Sequence, residues 1–547
     1  MSRWVGVFCG MALVLGLAAG RGAAGPRFEG KGEDPALYTE DRAPEKGVKS
    51  EDPRSESERG APNGKDGAMA AEATATELDA VARRVIGEER VAGASVLVVR
   101  RDVVLLHAGY GFADLGLEAA TKDETVYHVV GPMLPFTGIA VMQLVERGKI
   151  SLDDEIAKFV PEFPMQGRRV TVRQLLNHTS GIVDYHYLGD AIEATSRQPK
   201  ALDEVMALYA GKKWVNEPGK KWDWSISGFQ LLVTIVERVS GESFAGYVQK
   251  NIFEPAGVKQ TSYCDDFSLV PGLSHAYRHF EKGFVPAYEN DMAYNADLRF
   301  CSTVGDIYRM WRAIGEQKLV KPETFAMMTT AEGAAAHMSA ADPKAGYGFA
   351  MILNHEEEHR RIGQHGSLLG YSGSLYDFPE DGLTIVVLTN TEGQNAYAIS
   401  RALSRAVLGL PVLPALPAAA KAPEETKLED GAVSAEERRA LAGTFVLKLE
   451  HLTDGLHDSF EQYRRTYRVF DEDGRLMIQA LGQGPERLLK QADGGFAMRT
   501  APREHITFAM KDGRAASMKI DPSGFGVAMS GERIGAGDPR TFHEQLR

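Results

Sequence analysis

The sequence predicts an α+β domain, an antiparallel sheet flanked by helices, followed by a separate all-β, barrel-like domain. Three observations predict it. Short β-branched runs open and close one long segment. Apolar helices ending at glycines lie between those runs. Asp-Gly pairs then punctuate the C-terminal stretch.

The chain has 547 residues, which at roughly 100–200 residues per domain calls for two or three domains. Its 44% hydrophobic content is that of a globular protein and argues against wholesale disorder and a polytopic membrane protein. With 62 Lys plus Arg against 75 Asp plus Glu, the net charge of −13 offers phosphates no basic footprint, so no nucleic-acid partner is expected. Three cysteines exclude a disulfide scaffold and a multi-cysteine zinc array.

Residues 1–24 read as a signal peptide: Arg3, an uncharged run from Trp4 to Gly20, then small residues at Ala18, Ala19, Ala23 and Ala24. This predicts export to a periplasmic or extracellular location, with membrane attachment only if the segment stays uncleaved. Residues 25–69 are polar and rich in Gly and Pro, too poor in apolar side chains to offset their ordering entropy, and read as a tether. The body spans 70–410, a Pro- and Ala-rich linker 411–433, and the last domain 434–547. After signal removal Cys264 and Cys301 remain, and the sequence leaves open whether they pair.

Within the body, Ser95–Arg100 and Val103–His107 form a hairpin across Arg101-Asp102. Phe136–Arg147 is an apolar helix ended by Gly148, and Phe229–Val239 another followed by Gly241. Leu383–Leu388 is a buried strand after the turn Pro379-Glu380-Asp381-Gly382. In the last domain, turns at Asp473-Gly474, Asp493-Gly494 and Asp512-Gly513 separate strands. There Leu476, Ile478 and Ala480, and likewise Ile506, Phe508 and Met510, are expected to point inward, as in a packed accessory barrel.

Several motifs follow one another in a recognisable order. They are Gly109-Tyr-Gly-Phe-Ala-Asp114, Met142-Gln-Leu-Val-Glu-Arg-Gly-Lys-Ile-Ser-Leu-Asp-Asp154, Val172-Arg-Gln-Leu-Leu-Asn-His-Thr-Ser-Gly181, Glu217-Pro-Gly219, Ser302-Thr303 with Asp306, and Leu388-Thr-Asn390. On these motifs, residues 77–408 resemble the serine β-lactamase and penicillin-binding-protein-like hydrolases, in particular their class C and esterase-like branch. The last domain, opening with Leu441-Ala-Gly-Thr-Phe445, resembles the lipocalin-like β domain that often trails this family.

The resemblance implies three catalytic motifs, and each departs from the family pattern. The family places a nucleophilic Ser and its Lys base at Ser-x-x-Lys, on one helix face. Here those positions are Gly131 and Leu134, and no serine occurs between Gly116 and Ser151. The Tyr-x-Asn positions hold Trp224, Ser225 and Ile226; an indole N–H only donates and cannot serve as a base. The Lys/His-Thr-Gly positions hold Gln364, His365 and Gly366, and a one-residue shift would let His365 stand as the basic residue. The family's oxyanion donors would fall at Gly131 and Ser367. Pro132 and Pro135 predict a distorted helix start, with the helix beginning near Pro135.

These departures predict a degenerate member with no confident catalytic residue. It would keep an apolar pocket lined by Gly131, Leu134, Trp224, Ser225, Ile226, His365, Gly366 and Ser367. That pocket would take a peptide-like, acyl or cell-wall-derived ligand, or the chain would bind a protein partner. One alternative is a working esterase, amidase or β-lactamase using Ser225, activated by Lys220 or Lys221, or a water held by His365. Another is a structural or interaction module. No cofactor is expected, and no His, Cys, Asp and Glu set shows metal-ligand spacing. Asn177-His178-Thr179 matches a glycosylation sequon but is expected to be structural, and Asp184–Tyr187 to be an ordinary polar loop.

Overall fold

The computed structural model describes residues 73–188, 202–264, 269–280, 283–287, 300–338, 344–368, 370–413, 432–449, 465–480, 486–498, 505–521 and 528–536. The expected signal, tether and most of the linker lie outside these residues.

Helix α1 (Ala75–Glu88) opens on a reciprocal cap: the Thr74 hydroxyl accepts the Glu77 N–H and the Glu77 carboxylate accepts the Thr74 N–H. Strands β1 (Gly93–Arg100), β2 (Val103–Asp114) and β3 (Ala119–Ala120) follow. Arg101 and Asp102 both have positive φ, 47° and 65°, the mirror-image turn that suits the twist of a two-residue hairpin. Three short strands, β4 (Tyr127–His128), β5 (Ser262–Tyr263) and β8 (Phe300–Ser302), form a small sheet, and β6 (Tyr277–Phe280) pairs with β7 (Gly283–Pro286). Strands β9 (Gly346–Tyr347), β10 (Ile352–Glu356), β11 (His359–Leu368), β12 (Tyr371–Phe378) and β13 (Leu383–Thr389) complete the main sheet. Its order is β3-β2-β1-β13-β12-β11-β10-β9, antiparallel throughout. The N-terminal hairpin thus joins the C-terminal strand, with Ala94 opposite Thr389 and Arg100 opposite Leu383.

Both faces of this sheet are covered. Val96, Val98, Ile385, Val387 and Tyr376 pack with α1 and a late helix, Asn395–Val407. Leu97, Val99, Val386, Leu388 and Leu375 pack into the larger core with α2 (Leu134–Glu146) and α3 (Ile226–Ser240). Burial on two faces is why β1 and β13 read as continuous apolar runs rather than as alternation. Helix α3 ends where expected, with Gly241 at φ 75°.

Cys264 and Cys301 are joined by a disulfide with Cα atoms 5.7 Å apart, so the open question of pairing is answered. His128, on β4, places Nδ1 3.4 Å from each sulfur, and its ring meets Tyr371 edge-on.

The last domain is a closed eight-stranded barrel, β14 (Gly443–Leu449), β15 (Arg465–Glu472), β16 (Arg475–Ala480), β17 (Glu486–Lys490), β18 (Phe496–Met498), β19 (His505–Lys511), β20 (Arg514–Asp521) and β21 (Met529–Gly535). Phe445, Leu447, Val469, Leu476, Ile478, Ile506 and Met518 fill it. Met510 departs from its expected inward position: it is 52% exposed, because a register shift between Ala509 and Met510 breaks the alternation of β19. Among the described residues no helix is long and apolar enough to cross a membrane.

Candidate active site

The nucleophile position lies where the chain runs from β4 into α2. The Leu134 N–H donates to the Gly131 carbonyl at 3.0 Å, closing a turn. Helix α2 begins at Leu134, with Pro135 in its first turn and no side-chain cap at Met133. The start is therefore distorted as expected, one residue earlier than expected, because a proline in the first turn gives up only an N–H without an intrahelical partner.

Gly131 has φ +85°. A Cβ built there would lie 2.4 Å from the carbonyl carbon of His365 and 2.5 Å from the Gly366 nitrogen. Two more glycines share the contact. Gly366 and Gly373 are cross-strand partners on β11 and β12. A Cβ on Gly366 would sit 3.2 Å from the Gly131 Cα, and one on Gly373 2.7 Å from the Val130 carbonyl oxygen. Three residues without side chains let the 130–132 backbone lie directly on the sheet. The nucleophile position has neither a side chain nor room for one, and its φ disfavours any L-residue.

Strand alternation sorts the β11 motif. Gln364 is opposite Leu375 and faces the α2 side, where its amide donates to the Tyr347 hydroxyl at 2.8 Å. His365 is opposite Ser374 and faces away; its Nδ1 is 2.7 Å from the Tyr376 hydroxyl and its ring stacks on Tyr397 at 4.5 Å. The expectation that His365 serves this site is therefore corrected: a one-residue register shift reverses the face of the side chain. The Ser367 hydroxyl likewise turns elsewhere, accepting the Gly393 N–H and donating to the Tyr371 carbonyl.

The Tyr-x-Asn positions are filled by packing. Trp224 lies 4.4 Å from the His178 ring and meets Tyr347 edge-on at 6.3 Å, and His178 also packs on Tyr347 and Phe229. Ser225 is buried and caps α3, its hydroxyl accepting the Gly228 N–H and its own N–H donating to His178 Nδ1. It is thus a structural cap, and Lys220 and Lys221 are exposed. Leu134 and Ile226 belong to the main core rather than to a pocket wall. Of the eight expected lining residues, only Trp224, His365, Gly366 and Ser367 keep partial exposure.

The polar loop at Asp184 is anchored through that residue. Its buried carboxylate accepts the N–H groups of Ile226 and His186 and contacts His186 Nδ1 at 2.9 Å, tying the loop to the start of α3. Burial pushes this carboxyl up, but the His186 ring and these donors outweigh it and hold it below the usual carboxylate range. Asn177 and Thr179 are buried and hydrogen-bonded to each other, as a structural role requires.

His128 and His365 share one electrostatic property. Burial lowers both to about 4, with Arg361 adding to the effect at His365. The fold therefore holds them neutral while the unfolded chain protonates them below about pH 6.5. Stability is full above that value and falls with pH down to about 4. We expect Tm to drop steeply between pH 6.5 and 4, and His365→Gln to flatten that slope in a pH series of melts.

Two cavities lie away from the family motifs. One, of about 460 Å³, is lined by Ser434, Glu436, Glu437, Arg439 and Arg514 among others. The other, of about 250 Å³, lies beside Lys344, His355 and Arg360.

Comparison with known proteins settles the family. The Beta-lactamase family model matches residues 75–410, more than half of the chain. The chain belongs to the β-lactamase family. This member is 26% identical over 461 residues to Penicillin-binding protein 4* of Bacillus subtilis, covering 80% of the chain and 95% of that relative. It is 28% identical over 191 residues to Protein flp of Staphylococcus aureus, covering 34% of the chain and 38% of that relative. Among solved structures, the octameric penicillin-binding protein homologue from Pyrococcus abyssi aligns with TM-score 0.56 and 22% identity, over 83% of this chain and 99% of that one. A D-stereospecific amidohydrolase from Streptomyces aligns with TM-score 0.51 and 21% identity, over 59% and 98%.

Proposed function

We propose that this β-lactamase-family protein does not hydrolyse through a Ser-x-x-Lys nucleophile and works by binding. One observation carries the reading: Gly131 lies against His365 and Gly366 so closely that a Cβ would be 2.4 Å from backbone. A hydrolase needs a nucleophile, a base and space for a carbonyl between the helix start and the strand. Gly131 and Leu134 supply no nucleophile or base, and the backbone contact takes the space. The working-hydrolase alternative is weaker, because Ser225 is a buried cap and His365 faces the other side of the sheet.

The partly exposed rim of Trp224 and Gly366 is what a peptide-like, acyl or cell-wall-derived ligand would still meet. We place the protein outside the cytoplasm, supported by the apolar Trp4–Gly20 run behind Arg3 and by the Cys264–Cys301 pair. Purified protein is expected to turn over neither a chromogenic β-lactam nor a short-chain ester above the rate of buffer. Turnover that disappears with Ser225→Ala or His365→Gln would overturn the reading.

A further inference from the structure

We propose that Cys264, Cys301 and His128 form a buried site for a soft, thiophilic cation, Cu(I) above all, which becomes available when the disulfide is reduced. The small three-stranded sheet assembles it. His128 on β4 is the register partner of Cys301 on β8, and Cys264 follows β5, which pairs on the other side of β8. Nδ1 of His128 is 3.4 Å from both sulfurs, and the three ligand atoms all lie within 4.8 Å of one another. All three residues are buried, at 8%, 2% and 0% exposure.

A disulfide needs only its two cysteines. Here a third donor, fixed by its strand and by the Tyr371 ring, is aimed at both sulfurs. The remaining packing is apolar, from Val126, Val270 and Leu273. No fourth His, Cys, Asp or Glu joins the group among the described residues. Thiolates favour soft cations, zinc and Cu(I) alike; zinc takes a fourth ligand, a water where the protein supplies three, which this buried apolar surround disfavours, whereas two thiolates and one imidazole complete a three-ligand set for Cu(I). The sequence spacing hides this site because its ligands, on β4, just after β5 and on β8, lie far apart in the chain.

The chemistry balances with a reductant. A trialkylphosphine gives two electrons to the S–S bond and takes oxygen from water, and the two sulfurs take up two protons. Cu(I) binding then releases those two protons as Cu–S bonds form. With the sulfurs bonded to each other, neither is a thiolate and the site is closed.

The test uses the full chain carrying Cys9→Ser, so that Cys264 and Cys301 are the sole thiols. The protein is reduced with a water-soluble phosphine, desalted without oxygen, and titrated with Cu(I) held by bicinchoninate. We expect the reduced protein to withdraw one Cu(I) per chain and to melt at a higher temperature than its reduced metal-free form. The oxidised protein is expected to withdraw none. His128→Gln should weaken binding roughly tenfold or more, and Cys264→Ser with Cys301→Ser should abolish it. The proposal is overturned if the reduced protein leaves Cu(I) with the chelator, or if the double serine variant withdraws as much. The oxidised and reduced forms of one unmutated site are compared, so the outcome does not hinge on a variant's folding.

Discussion

Gly131→Ser is expected to destabilise the protein by about 3 kcal/mol and to produce no hydrolysis of a chromogenic β-lactam. A serine there must adopt φ near +85° and place its Cβ 2.4 Å from the His365 carbonyl carbon. Left-handed backbone costs a non-glycine residue about 1–2 kcal/mol, and displacing a packed strand adds a comparable amount. Adding the base makes matters worse. Leu134 is 1% exposed within the main core, so Leu134→Lys would bury an ammonium among apolar side chains. The double variant is expected to lose cooperative folding, as thermal melts would show. A double variant that folds and opens a chromogenic β-lactam would mean that the segment can re-form the family site.

Glu356→Gln is expected to cost about 3–5 kcal/mol, the usual consequence of breaking a buried ion pair from one side. Glu356 is 2% exposed and meets three guanidinium groups: Arg361 at 3.3 Å, Arg401 at 2.9 Å, and Arg405. Arg361 and Arg405 are themselves 5% and 4% exposed. Arg361 also lies over the rings of Tyr376 and Tyr397, the two residues against which His365 packs, so the cluster supports β11 from the face opposite Gly131. Burial raises the Glu356 carboxyl, and the Arg401 and Arg405 hydrogen bonds more than reverse this. A carboxyl lowered in the fold gives stability that is present above its unfolded value and lost as pH falls through its folded one. Glu356→Gln should therefore melt lower at pH 7 and lose less on acidification than the parent, in calorimetry at both pH values.

Much of the fold was legible because its signals are local. Arg101-Asp102 between two β-branched runs marks the first hairpin, and Gly148 and Gly241 mark helix ends. The apolar run Leu383–Leu388 marks a strand buried on both faces. The departure from the family's Ser-x-x-Lys residues was equally local, since Gly131 and Leu134 lack those functional groups whatever surrounds them. What escaped the sequence depends on contacts between distant segments. Gly366 and Gly373 close on Gly131 only because β11 and β12 pass beneath it. Whether Gln364 or His365 faces the site is a question of strand parity, which a motif count leaves open by one residue. The bond from Ile226 at the start of α3 to Asp184, the arginines around Glu356 and the pairing of Cys264 with Cys301 are long-range too. The bulge that turns Met510 outward carries no distinctive residue.

If the family's acyl site is filled and without a nucleophile, no acylating reagent should mark the chain. Intact-mass spectrometry of the purified chain after exposure to excess benzylpenicillin, and separately to a fluorophosphonate, reads this out. The unmodified mass alone is expected in both cases. A stoichiometric adduct on any serine of residues 75–410 would contradict it.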